Sequence, residues 1–573
     1  MIKRIKVGTA SCGIAAGAEE VYNFLTSKIK DIEIIKVGCI GHCYAEPIVE
    51  VETDKGSLFY SNVRPSDEYL NAILNEEEKF LHIFPQKRKE KELIKVTRLS
   101  GRISPTSIDE YIRNGGYNGL QKALDLKPVD IIEEVKKSRL RGRGGAGFPT
   151  GLKWSILASK FSEEKILICN GDEGDPGAFM DRSLMESVPH QIIEGMLIGA
   201  YATGATKLFI YVRAEYPLAI KHLTQAIKQV EEKEINIING KKIPIIIKEG
   251  AGAFVCGEET AMIHSLEGGR GNPRYRPPYP TDYGYMGYPT AINNVETFAN
   301  IPIIINEGGE KFAEIGTEKS KGTKLFALAG DLKYSGLIEV PMGITIGEIV
   351  YDIGGAEIGS VKAVQIGGPS GGCIPEEHFD AIIDYDSLIE LGAIMGSGGL
   401  IVIGKYRCMV ETARYFLDFT TRESCGKCTF CRIGTKRMLE ILTKITEGKA
   451  TQDDMNTLED LAIKVKKASL CGLGQTAPNP VLSTLKYFKN EYIEHIEEKK
   501  CSALVCNSLV EVYLDKNLCI ECGLCIRTCP VNAISNDYVI NVDLCTRCNS
   551  CIEVCPKNAI SRTPLKKKIK QEE

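Results

Sequence analysis

Cysteine spacing constrains this chain more than any other feature. Cys519–Ile534 (CIECGLCIRTCPVNAI) recurs 26 residues later as Cys545–Ile560 (CTRCNSCIEVCPKNAI). Each copy reads C-x2-C-x2-C-x3-C-P. In this pattern the fourth cysteine serves the other copy's cluster. One [4Fe–4S] cluster is therefore expected on Cys519, Cys522, Cys525 and Cys555, and a second on Cys545, Cys548, Cys551 and Cys529. Soft thiolates suit iron, and two-residue spacers let three sulfurs wrap one cube. Pro530 and Pro556 turn the chain away from the pair. Zinc knuckles are the alternative, and proline after the fourth cysteine of both copies argues against them. A third set joins Cys425, Cys428 and Cys431 (SCGKCTFC) to Cys471 (SLCGLG), forty residues on. Here spacing alone leaves zinc open beside a third [4Fe–4S] cluster.

The chain has 573 residues, enough for about three to five domains. It is 43% hydrophobic and 25% charged with a net charge of −4, an ordinary globular balance that gives no sign of nucleic-acid binding. The basic run Lys566–Lys570 (KKKIK) reads as a solvated tail. The N-terminus lacks the apolar region of a signal peptide, and no stretch approaches 18 uninterrupted apolar residues. A cytoplasmic location is expected. In a reducing compartment, 21 cysteines mean metal or redox chemistry rather than disulfides.

Nine cysteines remain outside the three sets. Cys169, Cys256 and Cys373 stand singly in apolar or glycine-rich surroundings and read as small buried hydrophobes. His495, Cys501 and Cys506, with Cys408 as a fourth ligand, form a candidate zinc site. Cys12, Cys39 and Cys43 resemble part of a [2Fe–2S] site that lacks a fourth thiolate, with His42 as a substitute only in an unusual geometry. A cluster and a purely structural role both stay open for this trio.

Residues 1–95 read as a small α/β unit. Strands are expected at Ile2–Val7, Ile32–Val37, Ile48–Val51 and Leu58–Tyr60, and helices at Ala15–Lys30 and Asp67–Asn75. The charged run Gln86–Glu92 (QKRKEKE) reads as a linker. Residues 96–321 are glycine-rich α/β sequence. Residues 322–405 are strand-rich, with a helical stretch near Ile346–Ile353. Residues 406–497 are helical, over Met409–Phe419, Thr435–Glu447, Met455–Ala468 and Val481–Tyr492. Residues 498–573 are the cysteine-dense tail.

Four segments of the glycine-rich region point to one site. Arg141–Gly151 (RGRGGAGFPTG) frees the backbone to approach a phosphate, with Lys153 adding charge. It is not the G-x-G-x-x-G fingerprint, because no apolar strand runs into it. Cys169–Ala178 (CNGDEGDPGA), Glu249–Thr260 (EGAGAFVCGEET) and Asn293–Thr297 (NNVET) add acids, amides and glycines beside apolar runs. Such groups suit polyol and ring-edge hydrogen bonding.

With these motifs in family order, the chain resembles the NADH-oxidising flavoprotein subunit of respiratory complex I, from about Ser138 to Cys471. The added terminal units make it most similar to the beta subunits of NAD-dependent [FeFe] hydrogenases, including electron-bifurcating ones. The resemblance implies a multidomain α/β protein. It would comprise a thioredoxin-like unit (1–95), a Rossmann-like FMN/NADH domain (96–321), a β-grasp SLBB domain (322–405), a helical iron–sulfur domain (406–497) and a two-cluster ferredoxin (498–573).

It places Gly142, Gly144, Gly145, Gly147 and Lys153 at the cofactors, and Asn170, Asp172, Gly257, Asn293 and Asn294 around FMN. Phe148 and Tyr279 would flank the nucleotide. Glu258 and Glu259 would disfavour a 2′-phosphate, and so favour NAD over NADP. Asp175, where the family commonly has Glu, weakens that preference. No side chain need act as acid or base, since hydride passes between cofactors. The implied partners are a hydrogenase-like catalytic subunit, a small [2Fe–2S] subunit and ferredoxin. The alternatives are the diaphorase subunit of an NAD-dependent formate dehydrogenase or other NAD-linked complex, and a non-catalytic electron wire with a decayed flavin pocket.

Overall fold

The computed structural model describes residues 1–565, so the run Lys566–Lys570 lies outside the described residues. It divides into two compact units. One is Met1–Ile403 with Glu423–Lys427 and Leu470–Leu473. The other is Gly404–Arg422, Cys428–Ser469 and the described residues from Gly474 onward.

In the first unit, β1 (Ile2–Gly8), β2 (Glu33–Val37), β3 (Val49–Thr53) and β4 (Gly56–Tyr60) form a sheet in the order β2-β1-β3-β4. β1 is parallel to β2 and antiparallel to β3, and β3 and β4 make a hairpin. Alternation in IKRIKVG sends Ile5 and Val7 into the core. The helix expected over Ala15–Lys30 is broken. Gly17, at φ 99°, separates a turn at Ser11–Ala15 from α1 (Ala18–Lys28). α2 (Asp67–Leu74) starts where the Ser66 side chain accepts the Tyr69 amide.

The charged run expected as a linker is instead helix α3 (Gln86–Lys91). Arg88 is only 1% exposed. It donates to the carbonyls of Gly41 (3.1 Å) and Leu337 (2.8 Å) and pairs with Glu92 (3.0 Å). Periodicity and charge could not show this, because buried carbonyls distant in sequence demand the donor.

The next sheet is fully parallel. Its strands β5 (Ile166–Gly171), β6 (Lys207–Arg213), β7 (Ile245–Gly250) and β8 (Thr290–Asn294) lie in the order β8-β5-β6-β7. Helices α4 (Thr150–Ala158), α5 (Pro189–Thr203), α6 (Pro217–Glu232), α7 (Glu259–Leu266) and α8 (Val295–Glu307) accompany it. β5 and β6 read as near-continuous apolar runs because helices cover the sheet. α5 is buried along almost its whole length; most of its residues are apolar, and the buried Glu194 accepts from the Tyr111 hydroxyl and the Tyr117 and Leu120 amides.

A five-stranded sheet follows: β9 (Thr323–Gly330), β10 (Gly336–Pro341), β11 (Val361–Ile366), β12 (Gly372–Pro375) and β13 (Gly399–Gly404), in the order β10-β9-β13-β11-β12. The helix expected near Ile346–Ile353 is a π-helical turn at Glu348–Ile353. Successive residues of β9 serve two cores: Leu325 and Ala327 pack with the parallel-sheet region, and Phe326 and Leu328 with the five-stranded sheet. Between them Lys324, fully buried, pairs with Glu296 of α8. Lys324 also donates to the carbonyls of Leu325 (2.9 Å) and Ser397 (2.6 Å), and Glu296 accepts the Leu325 amide (3.0 Å).

The second unit holds α9 (Met409–Arg422), α10 (Thr435–Thr446), α11 (Gln452–Ala468) and α12 (Asn479–Tyr487) around a common core that includes Leu417, Leu442 and Leu458. The helix expected to reach Tyr492 breaks at Phe488 and resumes over Lys489–Ile493. The tail is closed by β14 (Val510–Leu514) paired antiparallel to β15 (Ile560–Pro564).

Removing one partner of a buried ion pair strands the other charge, at a cost of about 3–5 kcal/mol. Lys324→Met should lower stability by about that amount, read as a lower urea midpoint. Adding Glu296→Gln should recover part of the loss.

Candidate active site and metal centres

Parallel pairing brings four strand ends to one edge. Asn294 lies opposite Asn170 and Arg213 opposite Gly250. The chain passes from β5 to β6 and β7 on one side, then returns with β8 on the other side of β5. Ligands of parallel sheets bind outside the carboxyl ends at such a reversal, and all four glycine- and acid-rich segments meet there.

The loop 141–151 is closed on itself. Arg141 bridges Pro149, and the Gly142 amide donates to the Phe148 carbonyl (2.9 Å). Gly145 (φ 117°) and Gly147 (φ 64°) adopt conformations that side chains resist. Arg143, fully buried, donates its amide to Thr297 Oγ1 (2.8 Å) and its guanidinium to the Lys321 carbonyl (2.5 Å). A Cβ built on Gly142 or Gly257 would make only ordinary contacts, at 3.5 Å or more, with Phe148 and Asp172, so neither glycine is required by the protein's own packing. Phe148 and Tyr279 stand 44% and 54% exposed, as rings awaiting a flat partner would.

Two acids in this crevice are incompletely satisfied. The Asp172 side chain is 1% exposed, lies 3.7 Å from Arg213 Nη1 and leaves Oδ2 without a hydrogen bond. Asp175 accepts from Ser397 Oγ (3.1 Å) and leaves its buried Oδ1 unpartnered. Burial pushes both carboxyls up to about 7, with Arg213 opposing the rise at Asp172. An ionised carboxylate only accepts. Orphaned acceptors, a glycine-rich loop and exposed rings fit FMN, which brings hydroxyl and ring N–H donors.

Other residues expected at the cofactors are engaged by the protein. Asn170 donates to the Gly257 carbonyl and accepts the Asp172 amide, both at 3.0 Å. Asn293 accepts from Trp154 Nε1 (3.0 Å). Asn294 donates to Asp181 (2.5 Å) and caps α8. Glu258 caps α7, and Glu259 pairs with Lys153 (2.5 Å) and Arg276 (3.7 Å). Sequence reading missed Arg213 and Arg276. The sign for Arg213 was a charge ending the apolar run LFIYV.

The tandem repeat forms two pockets. Cys519, Cys522, Cys525 and Cys555 wall one; Cys529, Cys545, Cys548 and Cys551 wall the other. Each therefore takes its fourth sulfur from the other copy. Left-handed residues repeat at the same offset, at Glu521 and Arg547, Gly523 and Asn549, Asn532 and Asn558. The Ala533 and Ala559 amides donate to Cys529 and Cys555, both at 3.2 Å.

Cys408, His495, Cys501 and Cys506 are buried with ligand atoms within 4.8 Å of one another. Cys408 Sγ is 3.8 Å from Cys506 Sγ, and His495 Nε2 lies 3.4 and 3.3 Å from them. His495 Nδ1 is 2.7 Å from the Glu491 carbonyl, a contact that leaves Nε2 for a metal.

Among the third set, Cys425 and Cys471 belong to the first unit, Cys428 and Cys431 to the second. The Cys425 segment is tied to the glycine-rich region. Arg270 donates to the Cys425 carbonyl (2.9 Å), Lys427 to that of Pro273 (2.5 Å), and Glu423 accepts the Phe254 amide (2.9 Å). Cys12, Cys39 and Cys43 also converge. His42 is not among them. Its Nδ1 sits 3.2 Å from the Tyr44 hydroxyl and 3.4 Å from His82 Nε2, with Phe84 edge-on. Cys169, Cys256 and Cys373 are buried, as their apolar surroundings suggested.

A buried acid whose folded pKa lies near 7 holds its proton between its unfolded pKa of about 4 and that value, so stability falls as pH rises through this window. Asp172→Asn removes the titration. In the flavin-free protein, the variant should gain stability relative to the parent as pH rises from about 4 to about 7, measured by urea unfolding across that range.

The Nuo51 FMN-binding domain model matches residues 135–303, the NADH-ubiquinone oxidoreductase-F iron-sulfur binding region 411–495, and the 4Fe-4S binding domain 512–535 and 538–561. The chain is 53% identical over 451 residues to the NADP-reducing hydrogenase subunit HndC of Solidesulfovibrio fructosivorans, covering 78% of this chain and 92% of the relative. It is 44% identical over 401 residues to an F-type NADH-quinone oxidoreductase subunit of Rhizobium meliloti (strain 1021), covering 69% and 95%. A solved NAD+-reducing [NiFe]-hydrogenase in its H2-reduced state aligns with a TM-score of 0.64 at 30% identity, over 87% of this chain and 85% of that one. The chain belongs to the Nuo51 family of NADH-quinone oxidoreductase subunits, electron-transfer proteins that bind FMN and iron–sulfur clusters.

Proposed function

We propose that the protein is the NAD(H)-oxidising, FMN-dependent subunit of a multisubunit hydrogenase-type complex, passing electrons between NAD(H) and three [4Fe–4S] clusters. The observation that carries this reading is the crevice at the β5/β8 reversal, where two buried acids keep unpartnered oxygens beside the glycine-rich loop. When bound there, FMN supplies the conversion between two-electron hydride transfer and one-electron steps. Asp172 and Asp175, with their unpartnered oxygens, would hold its hydroxyl and ring donors, and the glycine loop 142–147 with Gly257 would let it approach the backbone. Phe148 and Tyr279 stack the nucleotide and exclude water. A decayed pocket would not keep these groups aligned, which disfavours a mere electron wire.

The cluster on Cys425, Cys428, Cys431 and Cys471 is proposed as the one that takes electrons from the flavin; the bonds of Arg270, Lys427 and Glu423, which hold the Cys425 segment to the glycine-rich region, support this order. The two-cluster ferredoxin module passes electrons to a partner protein of the complex or to ferredoxin, and simultaneous use of ferredoxin and NAD, as in bifurcation, is within this layout. The β2-β1-β3-β4 sheet supports a thioredoxin-like unit, and the five-stranded sheet an SLBB-type domain. Among the described residues no helix is long and apolar enough to cross a membrane. The kinship with HndC favours a hydrogenase over a formate dehydrogenase.

NAD is the proposed nucleotide because Glu258 and Glu259 line the site. Arg276, close to both, moderates their charge. Purified anaerobically, the protein should show flavin absorbance and bleach with NADH faster than with NADPH. Flavin-free protein with intact clusters would overturn the enzyme reading. Losing a base-stacking ring costs about 1–3 kcal/mol, so Tyr279→Ala should raise the KM for NADH about tenfold or more with flavin retained.

Zinc is proposed at Cys408, His495, Cys501 and Cys506, whose separations are those of one tetrahedral ion. Zinc analysis should give one ion fewer in Cys501→Ser; no zinc in either protein refutes the assignment.

A further inference from the structure

The N-terminal trio converges in an arrangement different from the cluster its sequence suggests. Cys12 lies in the turn after β1, and Cys39 and Cys43 lie in the loop after β2. Because β1 and β2 are parallel and Gly8 pairs with Val37, both loops leave the same edge. Cys39 Sγ is 3.6 Å from Cys12 Sγ and 3.8 Å from Cys43 Sγ, and all three sulfurs lie within 4.8 Å of one another.

Sulfurs bound to one tetrahedral ion at about 2.3 Å are about 3.8 Å apart. In a [2Fe–2S] cluster each iron carries two terminal thiolates. Each thiolate then has a single neighbour at that separation, and the other pair stands across the bridging sulfides. Cys39 has two such neighbours. That spacing suits one centre common to Cys39, Cys12 and Cys43, and a binuclear cluster does not offer it. The spacing repeats the 3.8 Å between Cys408 and Cys506 in the four-donor set of the second unit.

The surroundings fit an ion. The Gly41 amide donates to Cys39 Sγ (3.2 Å), which favours a thiolate. Glu46, 7% exposed, accepts the Ile48 amide at Oε2 (2.8 Å) and brings Oε1 to 3.9 Å from Cys12 Sγ. Gly8 and Gly13 pack against this carboxylate; a Cβ on either would come within 3.3 Å of Oε2. His42 is held by Tyr44 and His82, so the nearest further donor is an oxygen.

We propose that Cys12, Cys39 and Cys43 hold one divalent transition ion, with Glu46 beside the remaining coordination position, and that the N-terminal unit carries no binuclear cluster. Three thiolates and an oxygen suit a borderline-soft, tetrahedral ion of the zinc class. The ion staples the ends of β1 and β2 and lies off the electron path.

Metal and acid-labile sulfide are to be measured per chain in the anaerobically purified protein and in Cys39→Ser. The variant should lose one metal atom and keep its sulfide and flavin. Loss of two irons together with two sulfides overturns the proposal, and so does an unchanged metal content. A second measurement needs no variant. Fully reduced parent protein should show only the fast-relaxing spins of [4Fe–4S] clusters in electron paramagnetic resonance; one further slowly relaxing spin per chain overturns the proposal. Glu46→Gln should release the ion to a chelator about tenfold faster, and an unchanged rate overturns the role given to Glu46.

Discussion

Parallel pairing of β5, β6, β7 and β8 is the constraint on which the rest of the first unit depends. Parallel strands need helical crossovers, so helices cover the sheet and its strands must be apolar along their length. Polar residues are then admissible only where strands end. All four ends fall on one edge, and there the chain places Asn170, Arg213, Gly250 and Asn294. The site is thus a consequence of topology before it is a matter of individual side chains. β8 adds the reversal that opens a crevice at that edge. Its last residue is also the cap of α8, which carries Glu296 into the buried pair with Lys324. One strand end therefore contributes to the crevice and, through the helix it starts, ties the second sheet to the first.

Desolvation at this edge has two different outcomes. Glu296 is buried and paired, with its remaining oxygen bound by the Leu325 amide, so its charge serves structure. Asp172 and Asp175 are buried with oxygens left over, and both resist ionisation. A protein keeps such unsatisfied acceptors where a ligand completes them. The asparagines nearby are bound by the protein and hold the edge in shape, while the acids keep unpartnered oxygens, as the proposed flavin site requires. Residues satisfied by the protein and residues left unsatisfied thus sit in the same motifs.

Much of this was legible in the sequence. The tandem repeat states both its clusters and the exchange of the fourth ligand, because spacing in a short loop fixes which sulfurs can meet. The glycine loop and the acid-rich turns mark the crevice, since three acid- and amide-bearing segments recur beside apolar runs and the glycine loop joins them. Helices of the second unit were legible from periodicity to within a few residues, apart from the break at Phe488. What stayed hidden depends on contacts distant in sequence. QKRKEKE looks solvated, yet Arg88 is needed by carbonyls at Gly41 and Leu337. Arg213 looks like the end of a strand, yet it faces Asp172. Asn170, Asn293 and Asn294 read as ligand contacts, and their bonds to Gly257, Trp154 and Asp181 emerge only from the fold.

Cysteine spacing itself carries different information at different ranges. Within C-x2-C-x2-C the backbone is too short to choose, so the sequence dictates geometry. Across longer separations the fold chooses. Cys408 precedes His495 by 87 residues, and helix packing in the second unit, not local spacing, brings them to 3.4 Å. Cys12 precedes Cys39 by 27 residues, and the parallel register of β1 and β2 brings them to 3.6 Å. A C-x3-C pair read alone suggests half of a binuclear site. The third sulfur, placed by the sheet within tetrahedral reach of Cys39, changes what that pair can bind. Nuclearity is thus a property of strand register here: a shift of β2 by one residue would move Cys39 relative to Cys12 and dissolve the site while leaving the motif intact.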